Sequence, residues 1–291
     1  MYKLLLSIDK SLYITSPFLE WHLFWSVIGI WMDIAYTVTG FLVGFIVGLT
    51  GVGGGSLMTP ILVLGFSISP AIAVGTDLLY AAVTKSGGIL VHHAKNTIDW
   101  NIVKLLCMGS IPSTCISIFI LKSMLASGID YNNVITTILS IALILTSLVL
   151  LFKDPIQKLS QNERLSSIKI FHRQLRKPLT IFSGALIGFL VTLSSVGAGA
   201  LGAAVLFFLY PRMRAISIVG TDIAHAVPIT AIAGLGHAQL GTVDYMLLGS
   251  LLIGSIPGIY MGSHLGLYFP EKIMRPVLAS MLFLIGIRLA I

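Results

Sequence analysis

The chain has 291 residues, of which 56% are hydrophobic and only 10% charged, against roughly a quarter charged residues in an ordinary soluble domain. This composition excludes a soluble globular protein and indicates a membrane protein. The net charge of +7 could suggest nucleic-acid binding, but seven of the 18 Lys and Arg residues lie between Lys153 and Lys177. A cytoplasmic loop explains that cluster, because basic residues are retained on the inner side of a membrane. No nucleic-acid partner is therefore expected.

Apolar segments run along nearly the whole chain. A helix needs about 20 apolar residues to cross a bilayer, and several segments are that long, whereas four have the length of a half crossing. They lie at 34–50, 56–66, 70–94, 101–121, 132–152, 179–195, 200–210, 213–238, 245–267 and 273–291. Residues 1–33 form an N-terminal extension whose aromatic-rich part, 17–33, is either an interfacial helix or a short extra span.

The stretch LTGVGGGSLMTP, from Leu49 to Pro60, places four glycines within five residues of an apolar region. Consecutive glycines destabilise a helix by roughly 1 kcal/mol each relative to Ala, so we expect a helix break between Thr50 and Ser56. The next helix would begin with Ser56 or Thr59 as N-cap, and Pro60 suits the first helical position in the second case. The free N–H groups and positive dipole end of such a helix start can bind an anion.

Other glycines have the small-xxx-small spacing that is typical of close helix packing in membranes. We predict this packing role for Gly40, Gly44, Gly48, Gly184 and Gly188. The crowded glycines of the first stretch are either part of a break that lines a cavity or packing residues as well.

The chain contains the same pattern twice. LVGFIVGLTGVGGGS from Leu42 matches LIGFLVTLSSVGAGA from Leu186, and both VGTD (74–77 and 219–222) and GSIP (109–112 and 254–257) occur again at a constant offset. We therefore predict an all-α polytopic membrane protein with about eight transmembrane segments in two tandem repeats, each with a helix broken at its glycines. The repeats cover 34–152 and 179–291, and a basic cytoplasmic linker at 153–178 joins them.

The relative orientation of the two repeats depends on how the glycine-rich segments cross. One crossing each gives parallel repeats, whereas entry and return on the same side gives inverted ones. An inverted arrangement places more Lys and Arg residues in the cytoplasm, so the positive-inside rule favours inversion.

Ionisable side chains occur within the apolar segments, at Asp77, Lys85 and Asp222. Such groups are costly in a membrane and normally face a bundle interior or a pathway. Tyr80 and His225 lie three residues after the two Asp residues, hence on the same helix face, and Asp222 could share a proton with His225. Each Asp is either a structural anchor for a helix break or a group that acts in transport. Lys85 either faces the substrate path or snorkels to an interface through a break at 86–88.

Two further Asp residues, Asp99 and Asp244, each precede an aromatic residue at the start of a helical segment, and we predict that both are N-caps. The histidines just before them, His92, His93 and His237, are expected to be solvated or to cap helix ends. No His/Cys/Glu cluster of the sort that zinc needs is present, and no Ser–His–Asp order occurs in both repeats. We therefore expect neither a metal nor another cofactor, and no enzyme.

Together, GLTGVGGGSLMTP, the VGTDLL some twenty residues later and the weaker second copy LSSVGAGALG with VGTDI resemble the TauE/SafE family of bacterial membrane proteins, the sulfite exporter family. The resemblance covers about residues 40–290. It implies permeation of small sulfur-containing anions, such as sulfite and organosulfonates, across the bacterial cytoplasmic (inner) membrane. The second copy has Ala198 and Ala200 where the first has Gly54 and Ser56, which argues against a symmetric site.

These observations together predict a secondary transporter that exports a small anion by alternating access. The partners expected are the anion and the lipid bilayer, and self-association into a homo-oligomer is left open. The alternatives are a proton-coupled importer or a channel, or a membrane assembly factor or sensor that transports nothing. The residues expected near the anion are Gly51, Gly53, Gly54, Gly55, Ser56, Leu57, Thr76, Thr221 and Lys85, and those expected to gate or handle protons are Asp77, Tyr80, Asp222 and His225.

Overall fold

The computed structural model describes residues 17–50, 55–152, 166–265 and 271–291, and within them the side chains of 33–49, 56–152, 175–265 and 276–291. The described residues form helices and connecting turns, with no strand. The helices are α1 (Pro17–Thr50), α2 (Gly55–Phe66), α3 (Pro70–Ala94), α4 (Trp100–Ala126), α5 (Asn132–Leu151), α6 (Ser166–Ser194), α7 (Ala200–Leu209), α8 (Ala215–Gln239), α9 (Tyr245–Leu265) and α10 (Glu271–Ala290).

Among the described residues, five helices are long and apolar enough to cross a membrane: α4, α5, α6 from Leu175 onward, α8 and α9. The helices α2 and α7 have 12 and 10 residues, which gives them a length of about 15–18 Å. That length is about half of a bilayer's hydrocarbon core. The chain is therefore an all-helical, multi-pass membrane protein that contains short helices beside full-length ones.

The two helix breaks differ in how much of them the structure describes. The first break, at residues 51–54, lies outside the described residues. At the second, α6 ends at Ser194 and α7 begins at Ala200, and Ser195, Gly197 and Gly199 between them have positive φ angles. Glycine adopts such angles without the steric cost of a Cβ atom, so the two glycines fit this turn.

Two expectations about local structure are wrong. The helix α2 has begun by Gly55, so Ser56 and Thr59 are helical residues and not N-caps, and Pro60 lies inside the helix. No break occurs at 86–88, because α3 continues to Ala94. The Ser86 hydroxyl donates to the Ala82 carbonyl at 2.6 Å, and the absent side chain of Gly88 leaves room for Ile223 of α8.

The beginnings of α1 and α6 extend beyond the apolar segments. Residues 17–33 continue into 34–50 as the single helix α1, with no turn between them. The second part of the basic linker likewise belongs to α6, which starts at Ser166 and includes Pro178.

Helices from the two halves of the chain pack in matching pairs. The pair α1 and α9 and the pair α4 and α6 have the most extensive interfaces. Gly44 of α1 lies against Ser255 of α9, and Gly188 of α6 lies against Ser110 of α4, so closely that a Cβ would overlap the facing backbone. In both pairs the contacts advance in the same direction along the two helices, so the paired helices are parallel. The packing role predicted for the five spaced glycines is confirmed.

At the centre, α3 and α8 pack against each other and run in opposite directions, unlike the two parallel pairs. Gly75 lies against His237, whereas Gly88, further along α3, lies against Ile223 near the start of α8. The two helices are therefore antiparallel, and the middle of α3, near Lys85, faces the middle of α8, near Pro228. The helices α5 and α10 form the remaining large interface between the halves.

Candidate functional site

The first component of the site is a backbone carbonyl in the second helix break, which is not engaged in a helical hydrogen bond. Ala198 lies in the break between α6 and α7, and its carbonyl oxygen accepts a hydrogen bond from the Lys85 ammonium at 2.7 Å. Lys85 belongs to α3, so this bond joins the first half of the chain to the break in the second.

Lys85 is buried, with only 9% of its surface exposed. Its side chain therefore does not snorkel to an interface, and this alternative is wrong. The charges of Asp222 and Asp77 both act on the ammonium, but neither carboxylate forms a salt bridge with it within the described part of the chain. The cation is thus hydrogen-bonded to a neutral carbonyl, with two carboxyl groups in its electrostatic surroundings.

Asp77 is fully buried on α3 and holds the half helix α2. One of its carboxyl oxygens, Oδ2, accepts a hydrogen bond from the Thr59 hydroxyl. The other, Oδ1, has no hydrogen-bond partner, although the Ser195 hydroxyl of the second break lies nearby. Asp77 therefore anchors one short helix and at the same time presents an unpaired oxygen toward the other break.

Asp222 has the equivalent position on α8 and lies against the first turn of α7. Its Oδ1 atom occupies the space where Gly202 would carry a Cβ, and this oxygen has no hydrogen-bond partner. Because Gly202 is the third residue of α7, the carboxyl group is close to the positive end of that helix dipole.

The polar rings that follow the two Asp residues contact the repeated GSIP sequences. His225 Nε2 is 2.9 Å from the Ser110 hydroxyl, and the Tyr80 hydroxyl lies near Ser255, the counterpart of Ser110. His225 Nδ1 and the Tyr80 hydroxyl have no hydrogen-bond partner. Asp222 and His225 are therefore not joined by a hydrogen bond in this structure.

Unpaired polar atoms are concentrated at this place. Within the described side chains, seven buried polar atoms lack a partner, and five of them belong to Asp77, Tyr80, Ser195, Asp222 and His225. Buried polar groups are normally satisfied, so each exception calls for a bound molecule, a water or a proton. The cluster, together with Lys85, is our candidate functional site.

Thr76 and Thr221 lie beside the site and connect the halves. The Thr76 hydroxyl accepts a hydrogen bond from the backbone N–H of Asp244, and that of Thr221 accepts one from the N–H of Asp99, both at 3.0 Å. Both threonines are fully buried. Contact of either hydroxyl with an anion stays a prediction.

Of the residues predicted near the anion at the first break, Gly51, Gly53 and Gly54 lie outside the described residues. Gly55, Ser56 and Leu57 form the first turn of α2, where the last two are buried. Their contact with an anion also stays a prediction.

The predicted N-caps are confirmed. The Asp99 carboxylate accepts hydrogen bonds from the N–H groups of Asn101 and Ile102, and the Asp244 carboxylate accepts bonds from the two equivalent groups of α9. His237 is fully buried and therefore not solvated, but it does cap a helix end, because its Nε2–H donates to the Thr192 carbonyl in the last turn of α6. The described side chains contain no group of potential metal ligands.

Sequence reasoning missed several members of the site: Ser110, Ser195, the Ala198 carbonyl and Gly202. The repeated GSIP sequence marked Ser110, and the departure of the second glycine stretch from the first marked Ala198. Nothing in the local sequence marks Gly202 as the neighbour of a carboxyl group.

Comparison with known proteins identifies the family of the chain. The profile of the family described as sulfite exporter TauE/SafE matches residues 36–289. The probable membrane transporter protein YjnA of Bacillus subtilis is 40% identical over 261 residues, which are 89% of this chain and 100% of that protein. A probable membrane transporter protein of Methanocaldococcus jannaschii is 28% identical over 86% of this chain and 92% of its own length.

No solved structure matches the chain. The match to the family profile extends from α1 to α10 and includes both helix breaks and every residue of the candidate site. The chain therefore belongs to the sulfite exporter TauE/SafE family of membrane transporters.

Proposed function

We propose that the protein exports small sulfur-containing anions, such as sulfite or organosulfonates, across the bacterial inner membrane by alternating access. The observation that carries this proposal is the buried Lys85 ammonium, held on the Ala198 carbonyl where α3 crosses α8. A buried cation in a membrane is costly and is normally retained for a function. An oxyanion could replace the neutral carbonyl as its partner, and a hydrogen bond between charged groups is stronger than one to a neutral acceptor.

The start of α7 supports the same location for the anion. The N–H groups of Gly202 and Ala203 donate to the Gly197 and Gly199 carbonyls, which leaves the first two N–H groups of α7 without a backbone partner among the described residues, and the helix dipole adds positive potential there. Asp222 of α8 lies against this first turn, so its ionised form competes with an anion for both the helix end and Lys85. The site accepts an anion most easily when Asp222 is protonated.

We further propose that the two halves are inverted repeats. A two-fold axis in the membrane plane makes equivalent helices antiparallel, and the antiparallel packing of α3 on α8 supports this. The reciprocal bonds from Asp99 to Thr221 and from Asp244 to Thr76 give further support. Each half then has four full crossings and one half helix, which gives eight transmembrane segments. Inversion places Arg212 on the cytoplasmic side, and labelling of a cysteine near Arg212 from outside intact cells would contradict it.

Export is favoured by the membrane potential. An inside-negative potential drives an anion outward by roughly 2.3 kcal/mol per charge per 100 mV, so export needs no coupling ion. The unpaired oxygens of Asp77 and Asp222 favour one alternative, an importer that moves a proton with the anion. Dependence of flux on a proton gradient would identify the importer.

The test is anion flux in proteoliposomes with a panel of sulfite, sulfonates, sulfate and chloride. We expect flux of a sulfur-containing anion, and we expect Lys85→Ala to reduce it at least tenfold. The matched control is Lys104→Ala, because Lys104 is exposed on α4. Normal flux in Lys85→Ala would refute the site. Absence of flux with correct insertion would favour an assembly factor or sensor.

A further inference from the structure

Two histidines at equivalent positions of the two halves have different surroundings. In each, the ring Nδ1 is within hydrogen-bond distance of a threonine hydroxyl five residues later, at 2.8 Å from Thr97 for His92 and 2.9 Å from Thr242 for His237. The Nε2–H of His237 also donates to the Thr192 carbonyl of α6 at 3.0 Å. Nε2 of His92 has no such partner within the described residues.

The missing acceptor can be identified from the repeat. The counterpart of Thr192 in the first half is Gly48, near the end of α1. On the His237 side, α6 packs against α8, and Val191 next to Thr192 is fully buried. On the His92 side, the described parts of α1 and α3 have no comparable interface, and Val47 next to Gly48 is partly exposed. Among the described residues, one side of the molecule is therefore packed at this place, and the equivalent place on the other side is not.

The packing of α4 on α6 shows on which side of the membrane the less packed place near His92 lies. Leu106 lies against Gly184 in this parallel pair, so the start of α4 is level with Pro178 of α6. The loop that carries Thr97 leads directly into α4, and hence His92 lies on the side of the basic linker. His237 lies on the opposite side, near the start of α3, because it contacts Gly75.

We propose that His237 and His92 have the same role on opposite sides of the membrane: each holds its side closed when its Nε2–H bonds to the carbonyl near the end of α6 or α1. We call these two histidines the latches. In this structure the side of His237 is closed and the side of His92 is open. This inference rests on the proposed alternating access between inverted repeats. When the two halves exchange conformations, the His92 Nε2–H bonds to the Gly48 carbonyl and the His237 Nε2–H releases Thr192. With the basic linker in the cytoplasm, the structure is the inward-facing state.

The test compares two reporter cysteines, Val47→Cys and Val191→Cys, in separate variants that lack the native Cys107 and Cys115. A membrane-impermeant maleimide is applied to vesicles of both orientations. We expect His237→Asn to increase labelling of the Val191 reporter from the side opposite the linker and to reduce labelling of the Val47 reporter. We expect His92→Asn to have the opposite effects. Each change should be about threefold to tenfold, the range for one lost hydrogen bond.

Controls separate a latch from a merely structural role. The side-chain amide of Asn can retain the contact made by the ring Nδ1 but does not reach the position of Nε2. The longer side chain of Gln places its amide N–H where the Nε2–H was, so it can still donate to the Thr192 carbonyl. His237→Gln should therefore restore the original labelling. His93→Asn, at the exposed neighbour of His92, should change neither reporter. Equal shifts from both latch variants, or no shift from either, would overturn the latches. The expected shifts without anion flux would instead overturn the proposed transport and leave the latches standing.

Discussion

The hydrogen bonds of Thr76 and Thr221 allow a sharp test of whether these residues hold the two halves together. Each hydroxyl accepts a backbone N–H from the N-cap of a helix in the other half, at 3.0 Å. Thr→Val keeps the shape of the side chain and removes the acceptor, which leaves the N–H of Asp244 or Asp99 without its partner. We expect Thr76→Val to destabilise the protein and Thr76→Ser, which retains the hydroxyl, to do so much less.

The magnitude follows from the burial of the two partners. An unsatisfied buried donor costs about 1–3 kcal/mol. The threonines are fully buried, but Asp99 is only partly buried and Asp244 is exposed, so water can reach the freed N–H, and about 1 kcal/mol is expected for each site. The two bonds share no partner, so the double variant should lose about 2 kcal/mol.

The assay is the free energy of unfolding in mixed micelles, with anion flux and KM measured on the same variants. Loss of stability with an unchanged KM would assign Thr76 and Thr221 to the interface between the halves. A raised KM at unchanged stability would refute the reasoning and indicate that the hydroxyls contact the anion instead.

Two further substitutions test the packing around the site. Gly254→Ala should reduce the free energy of unfolding by more than about 2 kcal/mol, because the new Cβ would overlap the Thr37 backbone. The control is Gly249→Ala on the same helix, where the new Cβ meets no other atom. Equal effects of the two variants in a denaturation experiment would contradict the tight pairing of α1 with α9. Gly202→Ala should reduce anion flux several-fold, because its Cβ would displace the Asp222 carboxyl group; unchanged flux would remove Asp222 from the working site.

Much of the fold could be predicted from the sequence because its signals are local. Apolar length and glycine crowding predicted most helices and the place of the second break, and the Asp99 and Asp244 caps followed from their position before a helical segment. Helix starts next to the breaks were predicted less well. Propensity favoured a start at Ser56 or Thr59, but α2 has already begun by Gly55.

The sequence by itself determined that ionisable groups lie within apolar segments, that VGTD and GSIP each occur twice at a constant offset, and that α1 and α6 carry glycines spaced for close packing. Only the tertiary structure decided the partners: Ala198 for Lys85, Thr59 for Asp77, and the first turn of α7 for Asp222. The physical reason is that helix formation and membrane partition depend on nearby residues, whereas these partners are distant in the chain and meet only when the helices pack against one another.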